Sequence, residues 1–123
     1  MKTADLERFR KTLEAEEQSL AEGLREFQRA RARLAEAEVV SELGSDEDHP
    51  VDMTTDIFQR EKEQAMVESL QDSLARVREA LAKIKRGTYG KCDSCGRQIS
   101  VQRLRALPHA TLCVDCQGRR ETI

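Results

Sequence analysis

Aromatic residues are scarce in this chain: tryptophan is absent, and one tyrosine and three phenylalanines are all that 123 residues supply. With so little ring volume, a single domain of this length cannot fill a wide globular core and must bury narrow seams instead. Only two prolines occur, and the first is Pro50, so nothing breaks a long helix before it. No apolar run approaches the roughly 20 residues that a membrane-crossing helix needs. No glycine-rich phosphate loop is present, and no serine or cysteine nucleophile has a base at a plausible spacing. These absences argue against an enzyme and lead us to expect a soluble, cytoplasmic protein.

What the chain does have is charge, 36% of all residues, and helical period. Over residues 3 to about 42, Leu6, Leu13, Leu20, Phe27 and Leu34 recur every seven positions, which is a coiled-coil seam. Its second line is thinner, with Phe9, Ala30 and Ala37 well placed but Glu16 and Gly23 interrupting. A second segment, roughly 53 to 86, carries Val67, Leu70, Leu74, Val77, Leu81 and Ile84 in alternating steps of three and four. Between them lies Gly44-Ser45-Asp46-Glu47-Asp48-His49-Pro50, a cluster of breakers that turns the chain near residue 46. Folded there, the segments become antiparallel neighbours, with Leu6 opposite Ile84, Leu13 opposite Val77, Leu20 opposite Leu70 and Leu34 opposite Ile57. Each arm then spans on the order of 50 to 60 Å. Gly87 should stop the second helix, and Lys83, Lys85 and Arg86 suit its last turn, where the helix dipole favours cations. Read as intramolecular, the hairpin makes the chain a monomer, although a domain-swapped dimer would bury the same seams.

All four cysteines lie near the C-terminal end, as two Cys-x-x-Cys pairs, Cys92/Cys95 and Cys113/Cys116. That spacing is the signature of a four-thiolate zinc site, in which two tight turns supply a tetrahedron of sulfurs. Gly96 lets the backbone turn so that its amides face the thiolates. Two disulfides are disfavoured, because no secretory signal is read at the start and reducing compartments keep thiols free. A thioredoxin-like motif fails for want of a βαβ pattern around either pair. With four thiolates the site is closed, so one structural zinc per chain is expected, with His109 only a weak substitute ligand. The expected fold is therefore mainly α: a long antiparallel coiled-coil hairpin over residues 1–86, its acidic tip near 44–55, and a small four-cysteine zinc finger over 87–123.

Charge separates between these parts. Residues 1–82 hold 12 Lys/Arg against 20 Asp/Glu, a net of −8, whereas residues 83–120 hold 9 Lys/Arg against 2 Asp, a net of +7. The turn region is strongly acidic, with Glu42, Asp46, Glu47, Asp48, Asp52, Asp56, Glu61 and Glu63 against Arg60 and Lys62. An acidic tip repels phosphate, which argues against a reader that inserts it into DNA.

From Ala80 through Gly87-Thr88-Tyr89-Gly90 and both cysteine pairs, with Arg103-Leu104-Arg105-Ala106-Leu107-Pro108 between them, the sequence resembles the zinc-finger region of the DksA/TraR family. Upstream, the hairpin agrees in architecture. The resemblance implies a regulator that binds bacterial RNA polymerase, inserts its coiled-coil tip through the secondary channel, and does not read DNA sequence. It also implies activity from two tip aspartates within Asp-Pro-Val-Asp. Here the comparable stretch is Asp48-His49-Pro50-Val51-Asp52: Asp52 fits the second aspartate, His49 occupies the first position, and Asp48 lies one residue before it. Asp52 is the first candidate, Asp48 the second, and Asp46 or Asp56 would serve if the turn runs differently. Asp52 also stands where it would cap the second helix. Lys83, Arg86, Lys91, Arg97, Arg103 and Arg105 form a cationic base able to dock on an acidic polymerase surface. Two other readings fit the same residues: a redox switch that releases zinc on oxidation, and a zinc ribbon binding nucleic acid through its basic surface.

Overall fold

A computed structural model describes residues 1–44 and 53–121, with side chains described for 1–37 and 57–121. It contains α1 (Thr3–Gly44), α2 (Met53–Arg86), α3 (Val101–Ala106) and α4 (Val114–Glu121). The two long helices match the expected segments to within about two residues, the scatter normal for helix ends. Among the described residues, β structure is limited to one isolated antiparallel bridge, Lys91 with Gln98. No described helix is long and apolar enough to cross a membrane.

The stop of α2 follows from Gly87. Its φ of +78° is a left-handed conformation that glycine adopts without penalty. With that turn made, the Thr88 amide donates to the Lys83 carbonyl (2.9 Å) and the Gly87 amide to the Ile84 carbonyl (3.3 Å). This pair of bonds is a Schellman motif, and it satisfies carbonyls that the helix end would otherwise leave open. Lys83, Lys85 and Arg86 occupy the last turn as expected.

Two compact units divide the chain: Met1–Ser19 with Leu74–Ile123, and Leu20–Ser73. In the first, α1 and α2 are antiparallel, marked by Arg78 and Glu17 at 3.7 Å. Its core holds Phe9, Leu13, Leu74, Val77 and Ala80 from the helices together with Tyr89, Ile99, Leu104 and Leu112 from the finger. The finger therefore does not build a core alone. Phe9, which the heptad pattern places on the thin line of the seam, is buried with its ring centroid 5.6 Å from that of Tyr89. A tilted ring pair at this separation adds a modest attraction to the area it buries. The Tyr89 hydroxyl donates to the Pro108 carbonyl at 2.7 Å. Burial, with a smaller contribution from the Glu16 charge, pushes the phenol up to about 12, so it stays protonated as a donor.

Tyr89→Phe should isolate that bond, since it keeps the ring and strands a buried carbonyl. A loss of about 1–3 kcal/mol is expected from the denaturant midpoint of the zinc-loaded chain. A midpoint equal to wild type would mean the hydroxyl contributes nothing.

In the second unit the helices are again antiparallel, with Arg31 and Glu63 at 4.0 Å. Val67 is buried, while Leu20, Leu24, Phe27 and Leu70 are half-buried. Here the heptad reading needs correction: Leu34 is 58% exposed and Ile57, its expected partner, 53%. Among the described residues this unit has two helices and no third element, so each side chain is covered from one side only. Ala30 and Ala37, which were to supply the second line beside Leu34, are themselves exposed and have little bulk to offer.

Candidate metal centre

The first cysteine pair lies in a turn set by backbone bonds. Cys92 donates its amide to the Arg97 carbonyl (2.8 Å) and accepts at its own carbonyl from Gly96 (2.9 Å). Gly96, at φ +74°, has the left-handed conformation this turn demands, and a side chain there would strain it. Ile99 donates to Gly90 (2.7 Å), closing the ribbon that carries the pair.

The second pair is placed by α4. Cys113 directly precedes that helix, its carbonyl accepting from the Gln117 amide (2.9 Å), and Cys116 lies in the first turn. Two links hold the pairs together. The Asp93 amide donates to the Thr111 carbonyl at 2.8 Å, and Arg103 Nε, from α3, donates to the Leu112 carbonyl at 2.9 Å. Ser100 caps α3, its hydroxyl accepting from the Arg103 amide, so the arginine projects from a fixed helix start.

All four sulfurs lie within 4.8 Å of one another, and Cys95 Sγ and Cys113 Sγ are 3.8 Å apart. A tetrahedron with zinc–sulfur bonds of about 2.3 Å has an edge of about 3.8 Å. No disulfide forms among them. The donor set, its spacing and its closure therefore fit one zinc ion with no position left for a reacting ligand. His109 is outside this cluster, and its buried Nδ1 makes no hydrogen bond.

Electrostatics distinguish the sulfurs. Backbone amides of Cys113 and then Cys95 face the Cys92 sulfur and hold its thiol down to about 6. Cys116, hydrogen-bonded first to Cys113 and then to Cys92, is pushed up to about 12. Sulfurs this close share their protons and titrate as a set, so uptake of a divalent ion displaces protons from the whole cluster.

The cations assigned to docking divide into two kinds. Lys83 is only 14% exposed along its side chain and pairs with Asp93 at 2.9 Å. Arg103 is half-buried as a strut to Leu112. Arg86 is exposed and pairs with Glu79 at 2.8 Å, and Lys91, Arg97 and Arg105 are exposed. At the turn, Asp46, Asp48 and Asp52 lie outside the described residues, and Asp56 is placed only by its backbone in α2. Sequence reasoning missed the supporting residues Asp93, Ser100 and Thr111. The one signal available was Ser100 ahead of Val101-Gln102-Arg103, a helix-start pattern.

Residues 87–121 match the family model of the prokaryotic dksA/traR C4-type zinc finger. The chain is similar to general stress protein 16O of Bacillus subtilis, 38% identical over 82 residues that make up 66% of this chain and 50% of that protein. It is also similar to the RNA polymerase-binding transcription factor DksA of Escherichia coli, 38% identical over 48 residues, 39% of this chain and 32% of that one. It thus spans half or less of these curated relatives. Among solved structures, transcription factor DksA2 from Pseudomonas aeruginosa is similar over nearly the whole length. The TM-score is 0.80 with 30% identity, covering 99% of this chain and 87% of that one.

Proposed function

We infer, from the premise that this chain belongs to the DksA/TraR family of C4-type zinc-finger proteins, that it is a cytoplasmic transcription regulator that binds bacterial RNA polymerase. The observation that carries this reading is the likeness to a transcription factor across 99% of the chain, the long helix pair as well as the finger. In this reading residues 1–86 form the probe and residues 87–123 the finger, with Cys92, Cys95, Cys113 and Cys116 holding one structural zinc. The four-thiolate set supports a structural use of the metal, since it has no ligand position to give to chemistry. The chain then acts without catalysing a reaction, as a monomer, and without reading DNA sequence.

The acidic turn is the working end. A hairpin that enters the polymerase secondary channel delivers carboxylates toward a catalytic magnesium ion, where a negative group can bind near the metal or perturb the elements that close on substrate. Asp52, directly before the first residue of α2, is the principal group; Asp48 is second, and Asp46 and Asp56 flank them. Arg86, Lys91, Arg97 and Arg105 supply docking charge, and Lys83 and Arg103 shape the surface that presents it.

The test separates binding from effect. Asp52→Asn removes charge but keeps shape and most capping ability, so it should abolish the effect on transcription from an unstable promoter while polymerase affinity stays within a few-fold. Unchanged transcription with both Asp52→Asn and Asp48→Asn would reject the carboxylate mechanism. A wild-type chain that fails to bind core polymerase would reject the regulator reading altogether.

A further inference from the structure

A lysine at a helix end normally extends into water, where its charge is best solvated. Lys83 does not: its side chain is 14% exposed, and its ammonium lies 2.9 Å from Oδ1 of Asp93, whose own side chain is 57% exposed. Asp93 belongs to the first metal turn, between Cys92 and Cys95. Its carboxylate thus reaches α2 while its amide reaches Thr111, two residues before Cys113. Lys83 is held at both ends too, because its carbonyl accepts from Thr88 in the Schellman stop. One side chain and one backbone amide thereby tie together the end of α2, the first cysteine turn and the approach to the second.

We propose that Lys83 and Asp93 are a positioning pair that fixes the first cysteine turn against α2 and slows the loss of bound zinc. Neither residue is a ligand. The turn gives up its metal when Cys92 and Cys95 swing away from Cys113 and Cys116, and the ion pair resists that motion at a residue joined both to α2 and to Thr111. Partners outside the ligand set commonly alter metal affinity by about 10–100-fold. Charge alone predicts a different pattern. A four-thiolate zinc site is more negative than the same site with four neutral thiols, so losing the Lys83 cation would weaken binding but losing the Asp93 anion would strengthen it.

The experiment follows zinc release from the loaded full-length chain into an excess of chromogenic chelator. Lys83→Met should release zinc about 10-fold faster than wild type. Lys83→Arg, which can remake the pair, should stay near wild type. Asp93→Ala should accelerate release to a similar degree, and the double variant should be no faster than either single one. Cobalt-loaded variants should keep the visible bands of a four-thiolate tetrahedral centre, showing the ligand set intact. Lys83→Met within two-fold of wild type overturns the proposal. So do an Lys83→Arg chain as fast as Lys83→Met, unchanged or slower release from Asp93→Ala, effects that multiply in the double variant, or loss of the cobalt bands in either single variant.

Discussion

Exchanging Cys116 for serine, or holding the chain in excess chelator, is expected to unfold residues 88–121. The finger helices α3 and α4 have 6 and 8 residues, too short to persist as isolated helices in water. Around them, the finger has four buried apolar side chains, Tyr89, Ile99, Leu104 and Leu112, and links such as Asp93 to Thr111 and Arg103 to Leu112. Structural zinc in small finger peptides supplies apparent binding free energies of about 10–16 kcal/mol at neutral pH, far more than such links return. Most helix signal should nevertheless survive, because α1 and α2 contribute 42 and 34 residues. The damage should not stop at Gly87. Phe9, Val77 and Ala80 share a core with Tyr89, Ile99 and Leu104, so unfolding the finger uncovers them and should lower the melting temperature of the remaining helices. Circular dichroism melts of the zinc-loaded chain, the chelated chain and Cys116→Ser check both parts. A chelated chain that melts with the wild-type midpoint would falsify the dependence on metal.

The metal centre was legible in sequence because its determinants are local. Cys-x-x-Cys spacing and Gly96 define the first turn within five residues, the second pair has the same short spacing, and the end of α2 is equally local, written in Gly87. What stayed hidden depends on residues far apart in the chain. Phe9 belongs to the core because Tyr89, eighty positions later, brings a ring to it, and no heptad pattern contains that fact. Lys83 and Arg103 look like free surface cations in any count of charges. Only the folded finger shows that Asp93 and the Leu112 carbonyl take up their donors. The heptad reading erred in the opposite direction at Leu34 and Ile57, because periodicity marks the side of a helix that can be buried and not how much of it a lone partner helix covers. The tip aspartates Asp46, Asp48 and Asp52 lie outside the described residues, so their assignment rests on the sequence match and on charge.

That contrast can be turned into a measurement, since Leu13 and Leu34 occupy the same line of the heptad, three repeats apart. Leu13 is fully buried and Leu34 is 58% exposed. Leu13→Ala should therefore cost about 2–5 kcal/mol, the loss of transfer free energy plus the cavity left in a packed core. Leu34→Ala should cost well under about 1 kcal/mol, as surface substitutions do, with the better helix propensity of alanine offsetting part of the loss. Denaturant midpoints of the two variants would decide between a seam uniformly buried along the helices and one buried chiefly where the finger covers it: equal losses favour the first. A second consequence follows from the composition of the core. Leu13 shares its compact unit with Ile99 and Leu104, both fully buried between the two cysteine pairs in sequence, so a cavity at Leu13 should loosen the support of the finger as well as the helix pair. Leu13→Ala should then release zinc to a chelator faster than wild type, whereas Leu34→Ala should release it at the wild-type rate. If both variants keep zinc equally well, the finger and the helix pair are energetically separate despite sharing a core.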